Sequence, residues 1–477
     1  ISYLTTLPGV VSTGDRGGQL FIRGGEPTQN LVLLDGMILY QPFHILGFYS
    51  AFPSDILSRS DIYAGGYGAK FGERISSVID VWTREGNKRR FAGAVAASPF
   101  IATLQLEGPI VRDRVSFLAS VRESMVERGA EPLLGEPLPF AFGDVFAKLH
   151  AELNARTRLA LTGIRTYDRG TLAEPDAGAP AEEVRWTNEA VGLRYLLLPR
   201  ILPVSADLRL SHSRFDSELG PQGDPSRSSS IWETNLSLDG TFFSPRIETE
   251  AGLVLRMISS DTELGGTFQN TEFKGSRIDH LAFYVEPEWT LGNGLRIRPG
   301  ARLQFYYIRI DPYVEPRLRV VWERGRHQLS GAAGYYTQEM LGLTDRRDAA
   351  SVFTAWTNIP KFNPRQPDVL AEHIPRAIHA IAGYRTSPAV WLELSVEGFS
   401  KWYENLFVPE WTAFPRFTTR LQPADGRSIG FDTRVEVRRP PFYGFLNYGL
   451  SSTRYEARQA SLAQMSLPVF CTLTVLM

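Results

Sequence analysis

The chain has 477 residues, with 51 Lys and Arg against 52 Asp and Glu. A formal net charge of -1 gives no global basic field for nucleic acid. The single cysteine, Cys471, excludes an intrachain disulfide framework and a cysteine-based metal site. The aromatic share of 12% favours strands or a membrane interface.

The first ten residues carry neither a basic stretch nor a long apolar run, so no signal peptide is expected among them. With no initiator Met, residue 1 reads as an internal start. Residues 36–54 lack charge, but Pro42, Gly47 and Pro53 argue against a transmembrane helix. Through residue 87 the chain is glycine-punctuated, with short apolar runs. "FIRGG" at 21–25 sets Arg23 against Gly24 and Gly25. No Lys-Ser/Thr pair follows, so this is not a phosphate loop, and the glycines read as turn residues. Asp35-Gly36, between two apolar runs, reads as a tight hairpin turn with no chemistry of its own.

From residue 88 the pattern changes to long alternation. In "FDTRVEVRR" Phe431, Thr433, Val435 and Val437 share one parity, and Asp432, Arg434, Glu436 and Arg438 the other. Asn293-Gly294 in "EWTLGNGLRIRPGARLQFYY" marks a hairpin, and four similar pairs follow the same plan. Short turns alternate with longer polar stretches: Thr166 to Glu183, Phe215 to Ser230, Ser259 to Gly275 and Met340 to Pro375. Short turns at one end and long loops at the other predict a transmembrane antiparallel β-barrel of roughly eighteen strands. A soluble β-sandwich shares the alternation, but its strands are typically shorter.

The N-terminal region resembles the plug domain of TonB-dependent outer-membrane receptors. The matching pieces are "LPGV" at 7–10, "FIRGG" at 21–25, "VLLDGMILY" at 32–40, "HILGFYSAF" at 44–52 and "IYAGGYGAKFGERISSVIDVWTREG" at 62–86. "YVEPRLRV" at 313–320, "VEGFSKWYENL" at 396–406 and "FYGFLNYGLSSTRYE" at 442–456 extend the resemblance more loosely. It implies a mainly β protein: a small α+β plug, residues 1–87, in the lumen of a barrel, residues 88–477. The family's barrel has about 22 strands, so the last hairpins are expected to be absent, as are the signal peptide and TonB box.

The resemblance further implies that Arg23 faces lumenal carboxylates and holds the plug. Glu286 with Glu288, and Glu393 with Glu397, are candidate partners. It implies active import of a scarce nutrient, bound by extracellular loops and the plug apex, with TonB and the outer-membrane bilayer as partners. A surface-exposed accessory protein is a further candidate partner. Trp356 and Trp411, in or near long loops, are ligand-contact candidates. Trp289, Phe305, Tyr306, Tyr307, Trp391, Trp402 and Tyr403 read as an interfacial girdle. The seven histidines, His373 and His379 included, show no metal-ligand spacing, and no catalytic residue, cofactor or metal site is expected. The alternatives are a passive porin, which needs no plug, and a receptor or scaffold subunit that does not transport.

Overall fold

A computed structural model describes residues 9–12, 19–44, 47, 49–129, 131–135, 138–173, 182–200, 202–264, 271–306, 312–344, 353–358, 374–409, 421–458, 464–466 and 470–476. The glycine-punctuated segment forms a four-stranded mixed sheet. Asn30–Leu34 pairs in parallel with Ser77–Thr83, which in turn pairs antiparallel with Leu57–Tyr63. Met37–Ile38 folds back on Asn30–Leu34. Val10–Ser12 and Leu20–Ile22 make a separate pair. Among its described residues this unit has strands and two 3-10 turns, Pro27–Gln29 and Ser54–Ile56, and the α part of the expected α+β character is not seen in them. Turn residues interrupt its apolar runs too often for a stable helix.

From Ala92 onward the chain builds one large antiparallel sheet. Its strands follow in sequence order from Ala92–Ala97, in the order of a barrel. Gln464–Ser466 and Phe470–Leu476 both pair with Phe442–Ala457, along different halves, and so occupy one position. Met340–Thr344 and Thr354–Asn358 stay outside this sheet as a hairpin of their own.

Three of the stretches expected as loops are largely strand. Thr157–Ala173 pairs with Glu182–Leu197, Val204–Gly220 with Arg227–Phe243, and Ile247–Leu264 with Thr271–Thr290. In these extensions polar residues such as Asp216 and Glu218 take the outward positions while Phe215, Leu219 and Leu264 turn inward, so the polar composition that suggests a loop conceals strand that continues to pair. At 16–20 residues these strands exceed the roughly 9–11 that a tilted bilayer crossing requires.

Burial along the strands is inverted relative to a water-soluble protein. In Phe140–Glu152 the buried side chains include Asp144, Lys148 and His150, whereas Val145 and Leu149 are exposed. The same holds for buried Arg302 and Gln304 beside exposed Leu303, and for buried Asp432 and Ser428 beside exposed Phe431 and Ile429. Ionisable groups are rarely buried unless paired, and contiguous apolar surface is avoided in water. A sheet that turns its charges inward and its leucines outward is therefore solvated outside by hydrocarbon. No helix among the described residues is long and apolar enough to cross a membrane.

Candidate functional site

The charged side chains that link the N-terminal unit to the sheet start from two matching turns. Backbone hydrogen bonds between Ile22 and Gly25 enclose Arg23-Gly24, and Leu34 pairs with Met37 across Asp35-Gly36. All four enclosed residues have positive φ: 49° and 74° in the first turn, 51° and 87° in the second. This is the turn geometry that matches strand twist, and it favours glycine at the second position. Each turn thus carries one charged residue at its tip and aims it at the sheet.

Arg23 is buried. Its Nε lies 2.9 Å from Asp432 Oδ2, its Nη2 reaches Glu397, and its guanidinium carbon stands 4.9 Å over the Phe399 ring. Its carbonyl accepts from Ser428 Oγ at 2.9 Å. Gly24 lies so close to the sheet that a Cβ there would meet Thr453 Oγ1 at 1.8 Å, and a Cβ at Gly25 would meet Ser76 Oγ at 1.9 Å. Of the four expected acids, Glu397 meets Arg23 and the other three do not. Glu286 accepts from the Ala69 amide and pairs with Arg298 and Arg319; Glu288 faces Arg298 at 3.5 Å and Glu393 faces Arg385 at 3.6 Å.

The reading of Asp35 as a turn without chemistry is corrected. Its carboxylate accepts from Thr83 N and Oγ1, from Thr162 Oγ1 at 3.2 Å and from Lys148 Nζ at 2.9 Å. Lys148 and Asp35 are both buried. Asp35→Asn keeps an acceptor but removes the charge opposite Lys148. We expect it to weaken docking by about 1–3 kcal/mol, seen as faster amide exchange across Asn30–Leu34.

Further contacts surround the unit. Tyr40 donates to Glu233 at 2.8 Å, Asn188 exchanges hydrogen bonds with the Gln41 backbone, and Arg302 pairs with Glu73 at 2.8 Å. His379 bridges the Ile75 carbonyl and the Gly66 amide, Arg317 donates to the carbonyls of Gly68 and Phe71, and Lys401 to those of Ile22 and Ser76. These partners come from strands along nearly the whole sheet, so the sheet wraps round the unit. An apolar cluster including Ile22, Leu34, Phe52, Ile79 and Val81 also meets Leu118, Phe146, Ile164 and Ala190 of the sheet.

His44, fully buried and stacked on Phe142 at 4.5 Å, lies between Asp168 at 2.9 Å and Asp144 at 3.2 Å. Burial alone pushes its pKa down, but the two carboxylates outweigh both burial and the nearby Arg122 and hold it above the ordinary value. A raised folded-state pKa gives stability that is complete below the unfolded value and is lost as pH rises through the folded value. The segment around His44 should therefore be better protected from amide exchange at pH 6 than at pH 9. His44→Gln should remove that difference.

Trp356 is corrected as a ligand-contact residue. It is 2% exposed, edge-on to Tyr40 at 5.0 Å and beneath Arg74 at 5.3 Å. Its backbone is held by Ser229 and Thr262. The hairpin that carries it folds inward onto the plug-like unit instead of outward. Tyr306 and Tyr403 are also corrected: they are buried on the inner face, whereas Trp289, Trp391 and Trp402 are exposed outside. Trp411, Tyr307 and His373 lie outside the described residues.

Among the described residues, two groups bring possible metal-ligand atoms within 4.8 Å of one another: Glu73, His280 and Glu339, and Glu85, His150 and Glu152. Arg256 and Arg302 already engage Glu73, and Lys88 bridges Glu85 and Glu152. Resident cations thus take much of the charge that a metal would use. The residues that sequence reasoning missed, namely Asp432, Lys148, Asp144, Asp168, Arg317 and Lys401, all sit at inward parity on strands.

Residues 2–77 match the family model described as TonB-dependent Receptor Plug Domain. No curated protein sequence matches the chain. Among solved structures, the chain is similar to the siderophore receptor PirA from Pseudomonas aeruginosa, with TM-score 0.68 and 13% identity over 99% of this chain and 88% of that one. It is also similar to the FrpB iron transporter (F3-3 variant) from Neisseria meningitidis, with TM-score 0.70 and 13% identity over 95% and 76%. The outer membrane transporter YddB from Escherichia coli gives TM-score 0.66 and 12% identity over 95% and 74%. At these identities the likeness is one of fold. With a plug-domain match on a sheet whose outer face is apolar, the chain is an integral outer-membrane protein.

Proposed function

We propose that the chain is a TonB-dependent importer of a scarce nutrient, with residues 1–87 as the plug and residues 88–477 as a closed barrel around it. The strand order, which sets Phe470–Leu476 beside Ala92–Ala97, supports closure. The observation that carries the reading is the chemistry of the plug–wall interface. Arg23 with Asp432, Asp35 with Lys148, and His44 with Asp144 and Asp168 are discrete polar contacts beside a limited apolar patch at Leu118, Phe146, Ile164 and Ala190, and water entering the interface can solvate both partners of each pair as they part. A plug held this way seals at rest and can still be drawn aside by a pull from the TonB complex. Ligand would bind at the outer end, at the long loops and the plug apex, and the energy would come from outside the chain. The role is non-catalytic.

A second reading, a receptor or scaffold subunit without transport, draws on one observation. The hairpin carrying Trp356 is buried against Tyr40 and would hold the plug in place. Depletion of the protein separates the two. The import reading expects growth to fail on one nutrient and to recover only when both the protein and TonB are intact. Co-purification of a stable surface-exposed partner, with no uptake defect, would support the scaffold.

A further inference from the structure

Two cavities lie between the plug and the same sector of the wall. The inner one is bounded by Gly36 and Phe71 of the plug and by Arg209, Ser237, Asp239 and Val254 of the sheet. The other, of about 660 Å³, lies toward the short turns and is bounded by Trp82 and Arg84 of the plug and by Lys148, Arg158 and Arg194 of the wall. That volume is in the range of small-molecule sites. Two buried polar atoms beside the inner cavity, Asn235 Oδ1 and Arg209 Nε, have no hydrogen-bond partner there, while Asp239 Oδ2 is paired with Arg209 at 3.1 Å and Lys70 at 3.4 Å. Such lining suits a wet passage more than a sealed interface.

The Trp82 ring, which lines the larger cavity, lies between cations that border the two, with a chain of charges over it. Arg194 stands 4.5 Å and Arg209 5.3 Å from the centre of the Trp82 ring. Asp207 joins the two guanidiniums, at 2.8 Å from Arg194 and 2.7 Å from Arg209. Arg209 borders the inner cavity and Arg194 the larger one toward the short turns. The ring is itself held, its Nε1 donating to Asp80 Oδ2 at 3.0 Å. Cation–π contacts of this kind are modest, roughly 0.5–2 kcal/mol each. They can open without dismantling the plug sheet behind them.

We infer that Trp82 is the gate residue of a passage between plug and wall along Glu182–Leu197, Val204–Gly220 and Arg227–Phe243, with Arg194, Asp207 and Arg209 as its latch. This builds on the import reading, but its test needs neither a transported ligand nor TonB. In the full chain with Cys471→Ser, a Ser237→Cys substitution places a thiol in the inner cavity. Its reaction with an anionic methanethiosulfonate reagent is measured in detergent, with and without Trp82→Ala. Opening the gate should raise the labelling rate by about tenfold or more, as the accessible fraction rises. Trp82→Phe, which keeps a ring over which the cations can sit, should stay near the parent rate. Amide exchange across Leu20–Leu34 is followed in parallel and should not change. Equal labelling with and without Trp82 would overturn the inference. So would loss of exchange protection in Trp82→Ala, because Trp82 would then be holding the whole plug. If labelling rises in Trp82→Ala but TonB-dependent uptake is never found, the gate stands and the import reading fails.

Discussion

Arg23→Ala is expected to loosen the plug and raise ion leakage through the protein in planar bilayers. The substitution leaves Asp432, 4% exposed at its side chain, without its cation, and Glu397 loses the same partner. Breaking a buried ion pair from one side costs about 3–5 kcal/mol, because the remaining charge stays desolvated. Glu397 is more exposed, so most of the effect should come through Asp432. Amide exchange over Leu20–Leu34 should accelerate in step with leakage. Adding Asp432→Asn should recover part of the loss, since the orphaned charge is then gone. An Arg23→Ala protein with parental exchange and conductance would show that the pair holds nothing.

The second large effect concerns the outer face. Val145 and Val390 are both exposed, at 51% and 100%, and in water an arginine would be tolerated at either. Val145 lies on a strand whose inward neighbours are Asp144 and Phe146; Val390 lies in a short turn. If hydrocarbon surrounds the sheet, Val145→Arg should cost about 2–4 kcal/mol near the bilayer centre and Val390→Arg close to nothing. The readout is folding into lipid vesicles, followed by heat-modifiable gel migration. Equal behaviour of the two variants would return the chain to the soluble class.

The alternation along Phe431–Arg438 is enough to divide an apolar face from a charged one, because it depends only on the two-residue period of a strand. The need of Arg23 for an acid is equally readable. Glu397 was among the expected partners, but Asp432 lies one strand farther on, and the stagger between neighbouring strands decides which carboxylate comes level with a plug turn. Asp35 shows the same limit. Its turn is local and visible, but its partner Lys148 is 113 positions away. Trp356 shows another: a polar stretch that folds back into the lumen has the same composition as one that extends into solvent, so its burial could not be inferred. His44 drew no attention because nothing nearby in sequence marks it, and its two aspartates come from different strands.

Residues 1–87 are proposed to close a passage that the sheet would otherwise leave open. The most direct measurement compares single-protein conductance in planar bilayers for the intact chain and for a chain lacking residues 1–87, each first checked for folded, heat-modifiable migration. The intact chain should be silent or nearly so, and the shortened chain should form a large, steady pore. A steady pore in the intact chain, or a silent but folded shortened chain, would contradict the claim.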